Sequence, residues 1–146
     1  MNERISRQNV QQVKIRHVED ALGFIGFVEN PDIPFKIQRV YFLSNIPANT
    51  VRGRHGHKRL QQVFIALSGS FNIRVVSQTG DEIFKLSTAS EGLYIPANCW
   101  RELSNFTSDA ICLVLASSEY DKSDYFYDLA EFMNPENRNI TESHEK

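Results

Sequence analysis

Short apolar segments, each bounded by turn-forming residues, recur along most of the chain and constrain its fold more than any other feature. Their length and their alternation of apolar with polar residues are typical of β-strands. The predicted strands cover residues 10–18, 24–29, 35–44, 51–57, 62–68, 70–77, 83–86, 93–95, 100–104 and 110–117. Turn-forming pairs such as Asn30-Pro31 and Ser68-Gly69 separate them. Strands at this spacing predict an all-β sandwich or barrel, followed by one short helix at 128–133.

Length and composition exclude several classes of protein. The 146 residues correspond to a single domain, 1–146, in which the polar segment 135–146 is expected to fray. The net charge of −2 gives no indication of a nucleic-acid partner. Because no apolar run has the length of a membrane span or of a leader, we expect no membrane association and a cytoplasmic location. Cys99 and Cys112 lie in apolar surroundings, which predicts buried thiols rather than a disulfide.

Polar side chains interrupt otherwise apolar strand faces at two places. Residues two apart in a strand share a face, so Arg39 and Tyr41 point the same way. By the same rule, His55 and His57 share a face, about 7 Å apart along their strand. We therefore predict a polar patch inside the barrel, with the two histidines opposite Arg39 and Tyr41.

The spacing of the two histidines resembles the first metal-binding motif of the cupins. Gln62 stands where that motif has a glutamate, and Arg101 stands where a second motif supplies a third histidine. An amide and a cation are poor ligands for a divalent ion, which usually takes at least three protein ligands. We therefore expect no metal. Two imidazoles in a cavity then suit proton transfer, although both could instead be hydrogen-bonded structural groups.

Four segments carry a closer resemblance. They are PFKIQRVYFL (34–43), RGRHGHKRLQQVFIALSGS (52–70), GLYIPANCWREL (92–103) and LASSEYDKSDYFYD (115–128). Together they resemble the sugar-nucleotide 3,4-ketoisomerases, or WxcM-like cupins, and the RGxHxHK core followed by a glutamine is the specific part. The segment EDALGFIGFVEN (19–30) departs from the DxRG-type start that such proteins often carry.

This resemblance implies a cupin-type jelly roll that acts on dTDP-4-oxo-6-deoxy-glucose without metal or cofactor. In that reaction the ketone moves from C4 to C3 through an enediol. The product feeds the synthesis of 3-amino-3,6-dideoxy sugars for bacterial surface glycans such as the lipopolysaccharide O-antigen. The resemblance also implies a homodimer, in one version with exchanged N-terminal strands. The strand edges that a small jelly roll must cover favour a dimer as well.

Four residues are candidates for the chemistry. His55 and His57 are the predicted acid/base pair, and the pattern does not say which of them is the base. Tyr41 is a candidate donor to a sugar oxygen, and Arg39 is a candidate partner of the enediolate or the diphosphate. The structural alternatives are ring packing for Tyr41 and an ion pair for Arg39.

Five further residues are candidates for substrate binding. Arg52 is suited to bidentate binding of the diphosphate, because a guanidinium can bond two phosphate oxygens. Tyr94 and Trp100 could stack on thymine or simply fill the core. Gln62 could fix a histidine tautomer or be a plain cavity amide. Arg101 could contact the substrate or form a salt bridge in the place of the missing ligand.

Two other functions stay open at this point. The first is a dTDP-sugar 3,5-epimerase, a family that also uses a histidine and a tyrosine in a jelly roll but lacks the HxHK spacing. The second is a non-catalytic cupin that binds a sugar nucleotide. The sequence fixes neither the stereochemistry at C4 of the product nor the identity of the nucleotide.

Overall fold

The computed structural model describes residues 8–136, about half of which lie in β-strands, chiefly those of two packed sheets. The strands are β1 (Gln11–Lys14), β2 (Arg16–Asp20), β3 (Gly23–Phe27), β4 (Arg39–Ser44), β5 (Arg52–His57), β6 (Gln62–Ser68), β7 (Phe71–Ser77), β8 (Gly80–Leu86), β9 (Glu91–Ile95), β10 (Cys99–Ser104), β11 (Ile111–Ala116) and β12 (Tyr125–Phe126). Helix α1 spans Leu129–Met133, and single 3₁₀ turns lie at Asn30–Asp32 and Lys122–Asp124.

The two large sheets form a jelly roll. One sheet has the strand order β1-β9-β6-β11-β4 and the other β12-β5-β10-β7-β8, while β2 and β3 pair as a separate hairpin. Every strand pair is antiparallel, and from β4 to β11 the chain crosses between the two sheets at each connection except the β7–β8 hairpin. This arrangement confirms the predicted all-β jelly roll with one short C-terminal helix.

The turns lie where the sequence predicts them. Asn45, Asn98 and Asn105 adopt left-handed backbone conformations with φ of 56°, 64° and 57°, and asparagine tolerates this region better than most residues. Gly69 has φ of 62°, and a Cβ at this position would lie 2.3 Å from Thr107 Oγ1. Only glycine fits at this position of the β6–β7 turn, because any other residue would strain the backbone and would also clash with Thr107.

Two details of the fold differ from the prediction. The segment 10–18 forms two strands rather than one, because β1 pairs with β9 whereas β2 pairs with β3. The alternation of buried and exposed side chains ends at Ile15, and all five residues of β2 are exposed. Strand β12 was not predicted, since two residues are too few to show a period. The predicted frayed segment 135–146 lies outside the described residues apart from its first two.

The core has an inner and an outer part. The inner cluster fills the space between the two large sheets and consists of Phe64, Ala66, Phe71, Ile73, Val75, Leu86, Leu93, Ile95, Cys99, Leu103, Ala110, Cys112 and Val114. An outer cluster packs Val13, Ile15, Ile33 and Phe35 against the other face of the β6 sheet. The thiols of Cys99 and Cys112 are buried and form no disulfide with each other, as predicted. Within residues 8–136 no helix has the length and apolar character of a membrane span.

Candidate active site

The polar side chains predicted on facing strands lie at one end of the space between the sheets. His55 and Arg101 are register partners on β5 and β10. Gln62 enters from β6 in the opposite sheet, and Tyr41 enters from β4. The strand alternation that places apolar residues in the inner core therefore places these groups in the same interior.

A buried carboxylate orients His57. The His57 Nδ1 atom lies 3.3 Å from Asp124 Oδ2, and the two side chains are only 1% and 7% exposed. Because an ionised carboxylate accepts but does not donate, Nδ1 carries the hydrogen and Nε2 holds the lone pair. That Nε2 atom is buried and has no hydrogen-bond partner in the structure. His57 is thus arranged to accept a proton at Nε2.

Aromatic rings pack around the histidine pair. The ring centres of His55 and His57 are 4.7 Å apart with the planes nearly perpendicular. The Tyr125 ring lies 4.9 Å from His55 and 4.3 Å from His57. These contacts hold both imidazoles in place and remove them from water.

A chain of hydrogen bonds links Arg101 to Tyr41. Arg101 Nη1 donates to Gln62 Oε1, and Gln62 Nε2 donates to the Tyr41 hydroxyl oxygen over 2.8 Å. Arg101 Nη2 donates to the Cys99 carbonyl, whereas its Nε atom has no partner. Arg101 is only 1% exposed, and no carboxylate of residues 8–136 forms an ion pair with it. The site therefore contains a buried cation whose direct hydrogen-bond partners are neutral, while the Asp124 carboxylate acts on it only through space.

Burial and this cation keep both histidines neutral. Burial lowers the pKa of His57 to about 4, with the charges of Arg101 and Arg39 acting the same way and Asp124 opposing them. Burial, Arg101 and His57 together lower the pKa of His55 to about 3. Burial also raises the pKa of Tyr41, so its hydroxyl keeps its proton and is free to donate it. At neutral pH the site combines two neutral imidazoles and the protonated hydroxyls of Tyr41 and Tyr125 with the Arg101 guanidinium, beside the Asp124 carboxylate.

The site opens to the surface beside Arg39. The Arg39 guanidinium lies 4.5 Å from the centre of the Tyr41 ring and 5.7 Å from that of Tyr120. A narrow gap bordered by Arg39, Tyr120 and Tyr125 reaches His57. It adjoins a groove of about 510 Å³, which is formed mainly by residues 117–121. The groove has room for part of a ligand, whereas the gap at His57, with a volume of about 10 Å³, has room for no more than a water molecule.

Comparison with known proteins identifies the family. Residues 8–137 match the protein family described as "FdtA: WxcM-like, C-terminal". The chain belongs to this family. The chain is 37% identical over 116 residues to the TDP-4-oxo-6-deoxy-alpha-D-glucose-3,4-oxoisomerase of Aneurinibacillus thermoaerophilus, a match that covers 77% of this chain and 82% of the relative.

Solved structures agree with this assignment to the FdtA/WxcM-like family. The crystal structure of QdtA, a sugar 3,4-ketoisomerase from Thermoanaerobacterium thermosaccharolyticum in complex with TDP, has a TM-score of 0.83 and 36% identity, and the match covers 94% of this chain and 97% of QdtA. WlaRB, a TDP-quinovose 3,4-ketoisomerase from Campylobacter jejuni, has a TM-score of 0.82 and 38% identity, with coverage of 86% and 98%.

Six of the nine predicted site residues lie together, and three lie apart. The first group is His55, His57, Tyr41, Gln62, Arg101 and, at the opening, Arg39. Arg52 is exposed at the start of β5. Tyr94 is fully buried in the outer core, where its hydroxyl donates to Gln61. Trp100 is buried against Val76, Phe126 and Phe132 and donates to Glu102.

Three of the interactions considered from the sequence differ in the structure. Gln62 bonds Arg101 and Tyr41 rather than a histidine, and the group that fixes a histidine tautomer is Asp124. The rings of Tyr94 and Trp100 are both buried in packed clusters, so neither ring is available to stack on thymine. Arg101 fills the predicted ligand position, but without the salt bridge that was the alternative to substrate contact.

Asp124 and Tyr125 belong to the site although no strand pattern points to them. Asp124 ends a 3₁₀ turn and Tyr125 begins β12, and both reach the histidines from the C-terminal segment, which is distant in sequence. The one available signal is the run of tyrosines and aspartates at 120–128, which is unusual for an exposed tail. Among the described residues there is no group of three or more histidine, cysteine, aspartate or glutamate side chains placed to hold a metal ion.

Proposed function

We propose that this protein is a TDP-4-oxo-6-deoxy-glucose 3,4-ketoisomerase. The observation that carries the proposal is the arrangement of His57 beside Arg101: a neutral imidazole with an unbonded Nε2, next to a buried guanidinium that has no carboxylate partner. A base beside a buried cation suits a reaction that removes a proton from carbon and develops negative charge on oxygen. The family relatives that carry out such a reaction support the assignment.

The proton transfers follow from the chemistry of the sugar. The C4 carbonyl acidifies the proton on C3, and His57 Nε2 removes it to give an enediolate that spans C3 and C4. A proton is then returned to carbon C4 while the proton of the C3 hydroxyl passes to the C4 oxygen. C3 is thereby oxidised to the ketone and C4 is reduced to the alcohol, so atoms and electrons balance without a cofactor. His55, 4.7 Å from His57 between ring centres, is placed to carry the second transfer.

The enediolate needs donors where its charge develops. Arg101 supplies a fixed positive charge in a site that excludes water, where such a charge acts more strongly than in solution. Tyr41 accepts a hydrogen bond from Gln62 and so directs its own hydrogen elsewhere. Because burial raises the Tyr41 pKa, this hydrogen stays available for a sugar oxygen.

The nucleotide diphosphate requires cations nearer the surface. Arg39 lies at the opening, between the rings of Tyr41 and Tyr120, and Arg52 is exposed at the start of β5. We assign diphosphate binding to these two arginines, since guanidinium groups bond phosphate oxygens in pairs. The rings of Tyr120 and Tyr127 are exposed and are better available for base stacking than Tyr94 or Trp100.

Incubation with TDP-4-oxo-6-deoxy-glucose in deuterium oxide, followed by proton NMR, tests the function. A ketoisomerase gives a C3 ketone with deuterium at C4. A 3,5-epimerase instead inverts the methyl group at C5 with deuterium there, and a binding protein leaves the sugar unlabelled. Either of the last two results would contradict the proposal.

Exposed apolar side chains support a homodimer. Val18, Leu22 and Ile25 on the β2–β3 hairpin are 56%, 96% and 66% exposed, and Val40 and Phe42 on the sheet edge β4 are 57% and 66% exposed. A two-stranded hairpin with apolar faces is marginal alone, so we propose that a second copy of the chain covers these residues, with N-terminal strands exchanged as one form of that contact. Light scattering of Phe42→Glu should shift from two chains to one, and a wild-type monomer would exclude the dimer. A cytoplasmic location stays a prediction from the sequence.

A further inference from the structure

We propose that Asp124 is a positioning residue for the reaction, which acts by holding His57 in the tautomer that presents a lone pair on Nε2. This inference rests on the proposed function, because it assigns the group that makes His57 competent as a base. Asp124 itself does not touch the reacting sugar atoms in this assignment.

The carboxylate of Asp124 is fixed by several donors. Oδ1 accepts from the Arg59 backbone N–H over 2.9 Å, and Oδ2 accepts from the Leu60 backbone N–H over 3.1 Å and faces His57 Nδ1. The Asp124 main-chain carbonyl also accepts from the Lys58 N–H over 3.0 Å. With backbone donors on both oxygens, the carboxylate cannot rotate away from the imidazole. Such fixed partners are what locks a histidine ring and its tautomer.

The two histidines differ in this respect. His57 has the carboxylate at Nδ1, whereas within residues 8–136 His55 forms no ion pair with a carboxylate. The charged and titratable groups that face His57 are Arg101, Arg39, His55, Tyr125 and Asp124. Asp124 is the acidic member of this set that bonds the imidazole. It offsets part of the effect of the two cations and keeps His57 basic enough to accept a proton.

Replacement of Asp124 by asparagine separates this role from packing. Asparagine has nearly the same shape, but it places an NH₂ group where one carboxylate oxygen was. In the orientation that keeps the amide oxygen on the Arg59 N–H, the NH₂ group faces His57 and the bond from the Leu60 N–H is lost. Nδ1 must then become the acceptor and the hydrogen moves to Nε2, which can no longer act as a base. We expect kcat of Asp124→Asn to fall by at least about 100-fold, the lower end of a general-base contribution, with KM nearly unchanged. Asp124→Glu keeps the charge and should recover part of the activity.

The tautomer can be read without any substrate. In protein labelled with ¹⁵N-histidine, the long-range ¹H–¹⁵N spectrum at neutral pH should show the hydrogen of His57 on Nδ1, and in Asp124→Asn on Nε2. A wild-type spectrum with the hydrogen on Nε2 would overturn the inference, whatever the variant does. This measurement therefore keeps the inference testable even if the variant does not fold.

A matched control lies one residue away in the same turn. Ser123 Oγ donates to Asp121 over 2.7 Å, is exposed and does not contact the histidine pair. Ser123→Ala perturbs the 3₁₀ turn without removing a charge. In this variant the His57 tautomer and kcat should therefore equal those of the wild type. A similar loss of kcat in Ser123→Ala and Asp124→Asn, with an unchanged tautomer, would mean that Asp124 only holds the turn.

The pH profile provides a readout that a structural role would not move. Asp124 favours the protonated form of His57, so its loss should move the acid limb of kcat/KM to lower pH while lowering the plateau. If the Asp124→Asn variant folds and the acid limb of its kcat/KM profile lies at the same pH as that of the wild type, the inference is contradicted. If the wild type proves inactive on the TDP-4-oxo sugar while the tautomer shift is present, the proposed function fails and the His57–Asp124 pairing does not.

Discussion

The space between the two sheets has two ends that share one backbone pattern and differ in chemistry. At one end, Phe71, Ile73 and Leu86 pack in the inner cluster, and each of the three is at most 2% exposed. At the other end, His57, Arg101 and Gln62 are at most 1% exposed and are polar or charged. Strand alternation explains why both sets point inwards, but it does not explain why the second set is tolerated.

The difference lies in how completely each end is satisfied. Apolar side chains need only contact, and the first end supplies it from both sheets. In the second end His57 Nε2 and Arg101 Nε are buried without a hydrogen-bond partner. A buried unsatisfied donor or acceptor costs about 1–3 kcal/mol, so this end is less stable than its neighbour and more reactive. We conclude that the apolar end stabilises the fold and the polar end carries the chemistry.

The largest expected effect comes from removing the imidazole that has the free lone pair. His57→Asn should lower kcat by about 10²- to 10⁴-fold and leave the melting temperature within a few degrees, because general acid–base groups contribute on that scale. His55→Asn should also lower kcat, but it need not block deuterium exchange at C3. Kinetics, melting temperature and C3 exchange of both variants make the measurement.

These two variants can also contradict the assignment of the chemistry to the polar end. The smallest typical acid–base contribution to kcat is about 100-fold. If both variants fold and lose less than about tenfold in kcat, the pair is therefore not catalytic. A structural role would instead show as a lower melting temperature with normal turnover of the folded fraction. The polar end would then have to be explained by binding alone.

A smaller effect on rate, with an unusual effect on stability, is expected at Arg101. Arg101→Met removes the buried cation, and the lost enediolate stabilisation should lower kcat by about 10²- to 10³-fold. The change leaves Gln62 Oε1 and the Cys99 carbonyl without their donor, at about 1–3 kcal/mol each, but it also removes the cost of burying the charge. We therefore expect little net change in the free energy of unfolding, measured by urea titration. A loss of several kcal/mol would show that Arg101 is a structural group.

The apolar end should give the opposite result. Ile73 is fully buried in the inner cluster, and Ile73→Ala removes side-chain atoms and leaves a cavity. We expect a loss of about 2–5 kcal/mol in unfolding free energy with kcat of the folded protein nearly unchanged. A strong loss of kcat in this variant at a temperature where it is folded would mean that the two ends are coupled.

The fold is largely predictable from sequence, and the reason is visible in particular residues. A continuous apolar run marks β6 and apolar alternation marks β7, while Gly69, Asn98 and Asn105 mark turns by their need for left-handed backbone. The division between β1 and β2 escapes prediction because pairing partners, not residue types, decide it. Local periodicity indicates which face of a sheet a residue occupies, but it does not indicate which strand pairs with its own.

The candidate site is predictable in part for the same reason. His55, His57, Arg101, Gln62 and Tyr41 lie on regular strands, so alternation places them inside. Asp124 lies on a 3₁₀ turn, 67 positions from His57 along the chain, and only the closed tertiary structure brings them together. Trp100 shows the converse error, since a strand aromatic beside Arg101 faces the opposite side of its sheet.

The smallest expected effect concerns the dependence of stability on pH, and it distinguishes the two ends without any substrate. The ordinary histidine pKa is near 6.5, and the folded protein lowers it to about 4 at His57 and about 3 at His55. Below pH 6.5 the unfolded chain binds protons at these positions and the folded chain does not. Stability is therefore fully present above pH 6.5 and is lost as the pH falls towards 4, by up to about 1.4 kcal/mol per pH unit for each histidine.

Between pH 7 and 5 this loss can be assigned to the histidines. The pKa values of Asp32, Asp81 and Asp121 are all lowered from 3.8, so these carboxylates stay ionised over that range. Urea titrations at several pH values should give a shallower slope for His57→Asn than for the wild type. Ile73→Ala should instead give the wild-type slope displaced to lower stability, because its cavity does not titrate. If His57→Asn and the wild type were parallel over this range, His57 would take up a proton in the folded protein as readily as in the unfolded chain. The lowering of the His57 pKa by burial and by the nearby cations would then be wrong.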